Sequence, residues 1–221
     1  MPDADASRPS LGSLIAVPAV ITLAVTLLRL TGELLHWSPV LFNPAAGGGG
    51  ALVGISWLVP IFGIYFGVKL ARAGQAPRRA WRDAGLLVLG IVLLPVAGVM
   101  ATTLGLKGHP LRLALVFAVV AVAMVLVALQ TWPELTRTLL AYAFAARVPV
   151  ALLMLFAILG NWGTHYDVAP GFPAMRPLAK WLWIGVLPQL TIWIWYTVLI
   201  GGLFGLVAGA IAARRRSAAP A

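Results

Sequence analysis

The residues of this sequence best suited to binding or proton-transfer chemistry fall into two short groups. In the first, Arg29, Glu33 and His36 are spaced by four and three positions, which predicts one shared helical face. The second group lies in residues 161–167 and contributes Asn161, His165 and Asp167. Charged and hydrogen-bonding side chains beside long apolar runs are typical of a small, polar binding site in a membrane protein.

Three chemistries are open for these groups. They are ordinary polar residues at the membrane interface, the lining of a solute-binding vestibule, or ligands of a metal or haem, for which His36, His109 and His165 are the candidates. No two histidines have a local ligand spacing, so a metal site would have to be assembled from separate loops. No cofactor is predicted, and the metal or haem module is kept as an alternative hypothesis.

The order of Arg29 and Glu33 suggests a further partner for each. An arginine four residues before a glutamate is the less favourable order for an ion pair in an isolated helix. Two interpretations are open: Arg29 and Glu33 form an ion pair near the headgroups, or each has another partner, with Asp167 as the candidate for Arg29, which the order favours.

Arg147 lies in the apolar run Leu135–Gly160, and two placements are open for it. If the helix starts near Leu135, Arg147 is about 15–18 Å along it and near the bilayer centre. Acceptors there would be Gln130, Gln189 and the carbonyl freed by Pro149. Alternatively, Leu135–Ala146 lies along the inner surface and Arg147 snorkels to the headgroups.

The elements that position these residues are membrane helices. The chain is 61% hydrophobic and only 10% charged, which predicts an all-α, polytopic transmembrane bundle, one domain over residues 11–213 with tails at 1–10 and 214–221. Prolines inside several apolar runs predict kinked helices. The six expected spans are Leu11–Thr31, Ala51–Leu70, Ala84–Leu106, Leu111–Thr131, Leu135–Gly160 and Leu178–Ala213, the last broken at Pro188-Gln189 and crossing from about Leu190.

The basic loop Lys69–Asp83 sets the expected orientation. Short loops rich in arginine and lysine stay on the cytoplasmic side, so both termini are predicted to be cytoplasmic in a bacterial-type inner (plasma) membrane. All three histidines, Glu33 and Asp167 then lie at the outer face. The net charge of +10 is expected to contact anionic lipid headgroups at the cytoplasmic face, and no nucleic-acid partner is predicted.

Glycines at helical spacing give the main alternative function. Gly201, Gly205 and Gly209 form one small-residue stripe, and Gly63 and Gly67 form another. Such stripes pack helices within one chain, or dock a second copy or another membrane protein in a non-catalytic scaffold. The sequence lacks a recognised enzyme motif, so a non-enzymatic role is expected, with His165 and Asp167 as an acid–base pair kept as the enzymatic alternative.

The leading prediction is a small membrane protein that binds or passes a small solute. Its outward-facing vestibule would be lined by Arg29, Glu33, His36, Asn161, His165 and Asp167, with Arg147 deeper in the membrane.

Overall fold

The computed structural model of the protein describes residues 9–217, which form an all-helical bundle. Most of the predicted N-terminal tail and the last four residues of the basic C-terminal tail lie outside the described residues. The helices are α1 (Leu11–Leu34), α2 (Leu58–Arg72), α3 (Ala80–Thr103), α4 (Pro110–Ala128), α5 (Pro133–Gly160), α6 (Pro177–Lys180), a π-helical turn (Trp181–Val186), α7 (Leu187–Leu190) and α8 (Ile192–Ser217).

The helix lengths and composition are those of a multi-pass membrane protein. Within residues 9–217, five helical stretches are long and apolar enough to cross a membrane, and α2, with 15 residues, is shorter. At 1.5 Å per residue α2 covers about 22 Å, less than the roughly 30 Å of a bilayer core. Pro18, Pro95 and Pro149 lie inside α1, α3 and α5.

The predicted start of the second helix at Ala51 is wrong, because the helix begins at Leu58. The backbone N–H groups of Leu52 and Val53 donate instead to the carbonyls of Val40 and Leu41 (3.1 and 3.0 Å), which holds this stretch in the loop before the helix. Pro60 consequently lies in the first turn of α2, where the N–H that proline lacks has no helical partner to lose.

Contacts between helices define two ends of the bundle. The hydroxyls of Thr22 in α1 and Tyr142 in α5 are 2.8 Å apart, and Tyr166, just beyond α5, donates to the carbonyl of Thr26 (3.4 Å). Therefore α1 and α5 run in the same direction. Both helices end on the same side of the bundle, and we call this side the loop end. It holds residues 35–57, 104–109 and 161–176.

The opposite end, which we call the basic end, collects the arginine-rich termini of α2 and α8. Arg216 donates to the carbonyl of Arg72 (2.9 Å), so these two helices finish together. Trp132, before the start of α5, packs against Gly209 near the same end. α8 continues through Arg214–Arg216 to Ser217, past its predicted stop at Ala213.

The glycine stripes pack α2 directly against α8. A Cβ added at Gly63 or Gly67 would collide with the backbone of Gly201 or Gly205. Only glycine lets the two backbones approach this closely. These two stripes are therefore occupied inside the chain, as the intramolecular alternative predicts.

The last apolar run is broken, but at Thr191 rather than at the predicted Pro188-Gln189. Thr191 has φ −124° and ψ −74°, outside the helical range, and α8 starts at the next residue. Before the break, Trp181 donates to the carbonyl of Ala151 (2.7 Å), while Gly185 and Gln189 both contact Met154. Residues 181–189 therefore pack against α5 around Ala151 and Met154.

Candidate functional site

Glu33, at the loop end of α1, is the centre of a buried polar cluster. It is 4% exposed, and its carboxylate accepts from Arg29 Nε (2.8 Å), from the backbone N–H of His165 (3.0 Å) and from His165 Nδ1 (2.5 Å). The sequence predicted that Arg29 and Glu33 share a helical face, and the structure places them in direct contact. The cluster ties α1 to the loop that follows α5.

Arg29 also fixes the loop between α1 and α2. Its Nη2 donates to the carbonyls of Asn43 (3.1 Å) and Gly48 (3.0 Å). Gly48 has φ +69°, and a Cβ there would lie 2.8 Å from the His165 ring. Both the left-handed backbone conformation and the lack of room for a side chain therefore favour glycine at this position. The glycine run at residues 47–50 thus includes a position where the loop closes over the cluster.

The predicted pairing of Arg29 with Asp167 is wrong. Asp167 accepts from the backbone N–H groups of Gly163 (3.0 Å) and Thr164 (2.7 Å) and from the Thr164 hydroxyl (2.8 Å). A carboxylate that closes its own turn in this way gains several local donors at little entropic cost. Asp167 therefore shapes the loop that presents His165.

The surroundings of His165 favour its neutral form, in which Nδ1–H can donate to the Glu33 carboxylate. Burial lowers the pKa of the imidazole, and the nearby Arg29 charge acts in the same direction, while the hydrogen bond to Glu33 opposes them. The neutral form leaves Arg29 and Glu33 as a balanced ion pair, whereas protonation would add an unbalanced charge to a buried site.

Beneath this cluster the helices line a partly open cavity of about 550 Å³, which we call the Arg147 cavity. Its walls come from α1, α4, α5, α7, α8, the π-helical turn and the loops at residues 46–56 and 165–172. Arg29, His165 and Tyr166 face it near the loop end, and Arg147 faces it from the middle of α5. Most of the remaining wall is aliphatic or aromatic, including Val150, Phe117, Ile192 and Trp193.

Arg147 is buried, with only 3% of its surface exposed. It lies on one uninterrupted 28-residue helix, so the alternative in which Leu135–Ala146 lies along the membrane surface is wrong. Its guanidinium stacks over the Trp193 ring at 4.7 Å from the centroid. Among residues 9–217 it has no hydrogen-bond acceptor, and its Nε is fully buried, so the acceptors expected from the sequence are not used.

Gln189 shares this cavity and is also incompletely paired. Its amide Nε2 contacts Met154 Sδ at 3.7 Å, while its Oε1 is buried without a donor among the described residues. A hydrogen-bond acceptor thus lines the same space as a cation that lacks one. The sequence suggested Gln189 only as a partner of Arg147.

The other predicted site residues lie apart from the cavity wall. α1 ends at Leu34, so His36 is not on the helical face of Arg29 and Glu33; it is exposed, has φ +53° and bonds to the Glu33 carbonyl. Asn161 is exposed and ends α5 in a left-handed conformation, and His109 is exposed before α4. In the described part of the chain, no group of three histidine or acidic residues is placed to hold a metal ion.

Fold and site together define a multi-pass helical membrane protein with a partly open cavity that is lined by a buried arginine. Comparisons with protein-family models, with curated proteins and with solved structures returned no match. Its function is therefore inferred from the geometry of the cavity.

Proposed function

We propose that this membrane protein binds a small solute in the Arg147 cavity, as a receptor site or as one stage of its permeation. The observation that carries the proposal is a partly open cavity of about 550 Å³ with two arginines and a histidine on a mainly apolar wall. Small-molecule sites in proteins are typically about 300–1,000 Å³ in volume and combine an apolar lining with a few polar groups that fix orientation.

The polar cluster supports this proposal because it holds the loops at residues 46–56 and 165–172 in place. These loops line the cavity at the loop end, and we call them the cavity roof. Glu33 joins α1 to the loop after α5, and Arg29 joins α1 to the loop before α2. Loops held by buried, charge-assisted hydrogen bonds keep a site in shape without a ligand. A preorganised site loses less entropy when it binds its solute.

The distribution of arginines supports an outward-facing site. Arg72 and Arg216 meet at the basic end, whereas Glu33 and His165 lie at the loop end. Positively charged segments stay on the cytoplasmic side of a bacterial inner membrane. In the proposed orientation, therefore, the Arg147 cavity lies in the outer half of that membrane, and both chain termini are cytoplasmic.

A thermal-stability screen of the purified protein against a panel of small solutes tests the proposal. The panel covers neutral, cationic and anionic compounds, and a true ligand is expected to raise the unfolding temperature progressively as its concentration increases above its Kd. Ala114→Trp fills the cavity from α4, and we expect it to abolish the response.

Leu115→Trp is the matched control, since Leu115 is the next residue of α4, is 48% exposed and does not line the cavity. The control variant should respond to the solute as the wild type does. Equal loss in both variants, or no response to any solute in the panel, would contradict the proposed function.

A further inference from the structure

We propose that the solute is an amphiphilic oxyanion, with a carboxylate or phosphate group held by Arg147 and an apolar body lying against the cavity wall. This inference rests on the proposed function and names its class of ligand. It is carried by the unpaired guanidinium of Arg147, the uncommitted oxygen of Gln189 and the apolar residues around them.

The acids of the described chain are all committed elsewhere or lie at the basic end. Glu33 serves Arg29 and His165, and Asp167 closes its own turn. Asp83 and Glu134 begin α3 and α5 at the basic end, far along the bundle from the cavity roof. No carboxylate within residues 9–217 therefore neutralises Arg147.

The contact with Trp193 supplies no hydrogen-bond acceptor, so the guanidinium N–H groups have none among the described residues. A cation–π interaction uses the flat face of the group and offsets only part of the cost of burying the charge. The edge carries N–H donors in a planar fork, which matches the paired oxygens of a carboxylate or phosphate. This geometry favours an oxyanion over a simple halide.

The rest of the wall indicates an apolar body on the ligand. Around Arg147 the cavity is bounded by Val150, Met154, Ile192 and Phe117, which offer no hydrogen bonds to a compact, fully polar anion. Gln189 also lines the cavity, and its buried Oε1 has no donor among the described residues. A fatty-acid-like carboxylate or a lipid phosphate head shares this chemistry.

The test measures binding to the full-length protein in nanodiscs of zwitterionic phosphatidylcholine, by calorimetry and by thermal stability. The probes are dodecyl phosphate and dodecanoate below their micellar concentrations, dodecanol as the same chain without charge, and inorganic phosphate and acetate as heads without a chain. We expect the two amphiphilic anions to bind more tightly than the other probes.

Variants of Arg147 assign the binding to this residue. Arg147→Met should weaken binding of the amphiphilic anions by at least about tenfold, since a charge-assisted hydrogen bond is lost, and leave any dodecanol binding unchanged. Arg147→Lys keeps the charge but loses the fork, so an intermediate affinity is expected. Arg112→Met, at an exposed arginine near the loop end, should bind as the wild type does.

Two kinds of result would overturn the inference. Binding of dodecanol equal to that of dodecyl phosphate, or anion binding that survives in Arg147→Met, would show that the guanidinium does not hold a head group. If inorganic phosphate binds as tightly as dodecyl phosphate, the apolar chain contributes nothing to binding and the ligand needs no apolar body. If neutral solutes of the panel bind independently of Arg147, this inference fails alone; if neither charged nor neutral solutes bind, the proposed function fails with it.

The same assay distinguishes the two sources of such a ligand. Phosphatidic acid added to the nanodisc bilayer should compete with dodecyl phosphate if a membrane lipid is the natural occupant. A free amphiphile is indicated if dodecyl phosphate binds equally in the presence of phosphatidic acid. Either result supports an amphiphilic oxyanion.

Discussion

Replacing Glu33 by glutamine isolates the charge that holds the cavity roof together. The side chains have nearly the same shape, so packing is preserved, but one carboxylate oxygen becomes an NH₂ group. In the wild-type protein the Glu33 carboxylate accepts from Arg29 Nε, His165 N and His165 Nδ1. In Glu33→Gln at least one of these donors faces another donor, and Arg29 remains buried without its counter-charge.

The expected loss follows from the burial of the pair. Arg29 is 7% exposed and Glu33 is 4% exposed, so solvent screens neither charge effectively. Removing one partner of a buried ion pair costs about 3–5 kcal/mol, because the other charge stays desolvated. For a chain of this size that corresponds to a fall in unfolding temperature on the order of 10 °C.

Thermal unfolding of the purified variants in one detergent measures the effect. Glu134→Gln is the matched control, because Glu134 is exposed at the start of α5, and its change should stay below about 1 kcal/mol. The double variant Arg29→Gln with Glu33→Gln removes both charges and should recover part of the lost stability. A Glu33→Gln protein as stable as the Glu134→Gln control, or a double variant less stable than Glu33→Gln, would refute this account of the roof.

Three further outcomes are expected. Because burial lowers the pKa of His165, the unfolded chain binds more protons than the folded protein below about pH 6.5, so the free energy of unfolding should fall as the pH drops from 7.5 to 5. The variant His165→Gln should flatten that part of the pH profile. An unchanged slope in this variant would contradict the role given to His165. Gly63→Ala should destabilise the protein by about 1–3 kcal/mol through the α2–α8 contact, whereas Gly85→Ala, with open space around its Cβ position, should not; equal unfolding temperatures would count against the close packing. Tyr142→Phe should cost about 0.5–1.5 kcal/mol in denaturant unfolding through the lost bond to Thr22, and no loss would argue against that bond.

Much of the fold follows from the sequence because apolar length is a strong signal in membrane proteins. The ends of α1, α3, α4 and α5 lie within a few residues of their predicted positions. The start of α2 was missed since Ala51–Trp57 is apolar enough to join the helix, and only backbone bonds to Val40 and Leu41 divert it. Hydropathy does not register such bonds.

The site was predictable in part. Helical spacing predicted that Arg29 and Glu33 share a face, but the order of the two residues favoured separate partners, whereas they pair directly and His165 joins them. A further signal was present in Thr22 and Thr26, which continue the same buried stripe of α1 toward the basic end. The helical spacing of Thr22, Thr26, Arg29 and Glu33 marks the face of α1 that packs against α5.

Other parts of the site depend on tertiary contacts. Arg147 contacts Trp193, which lies 46 residues further along the chain, and no local sequence pattern links the two residues. Asp167 was the candidate partner of Arg29, yet three donors within its own loop satisfy it. His36 looked helical because the spacing from Glu33 was right, but the helix stops before it.

Thiol labelling tests most directly whether water reaches the Arg147 cavity, and the absence of cysteine from the chain makes single-cysteine variants straightforward. Val150→Cys places a thiol on the cavity wall one turn from Arg147, while Ala143→Cys places one in the closed core of the same helix. In nanodiscs, a small water-soluble methanethiosulfonate should label Val150→Cys and leave Ala143→Cys unreacted until the protein is unfolded. If the two thiols react equally, or neither reacts before unfolding, the cavity is not a site that a solute can enter.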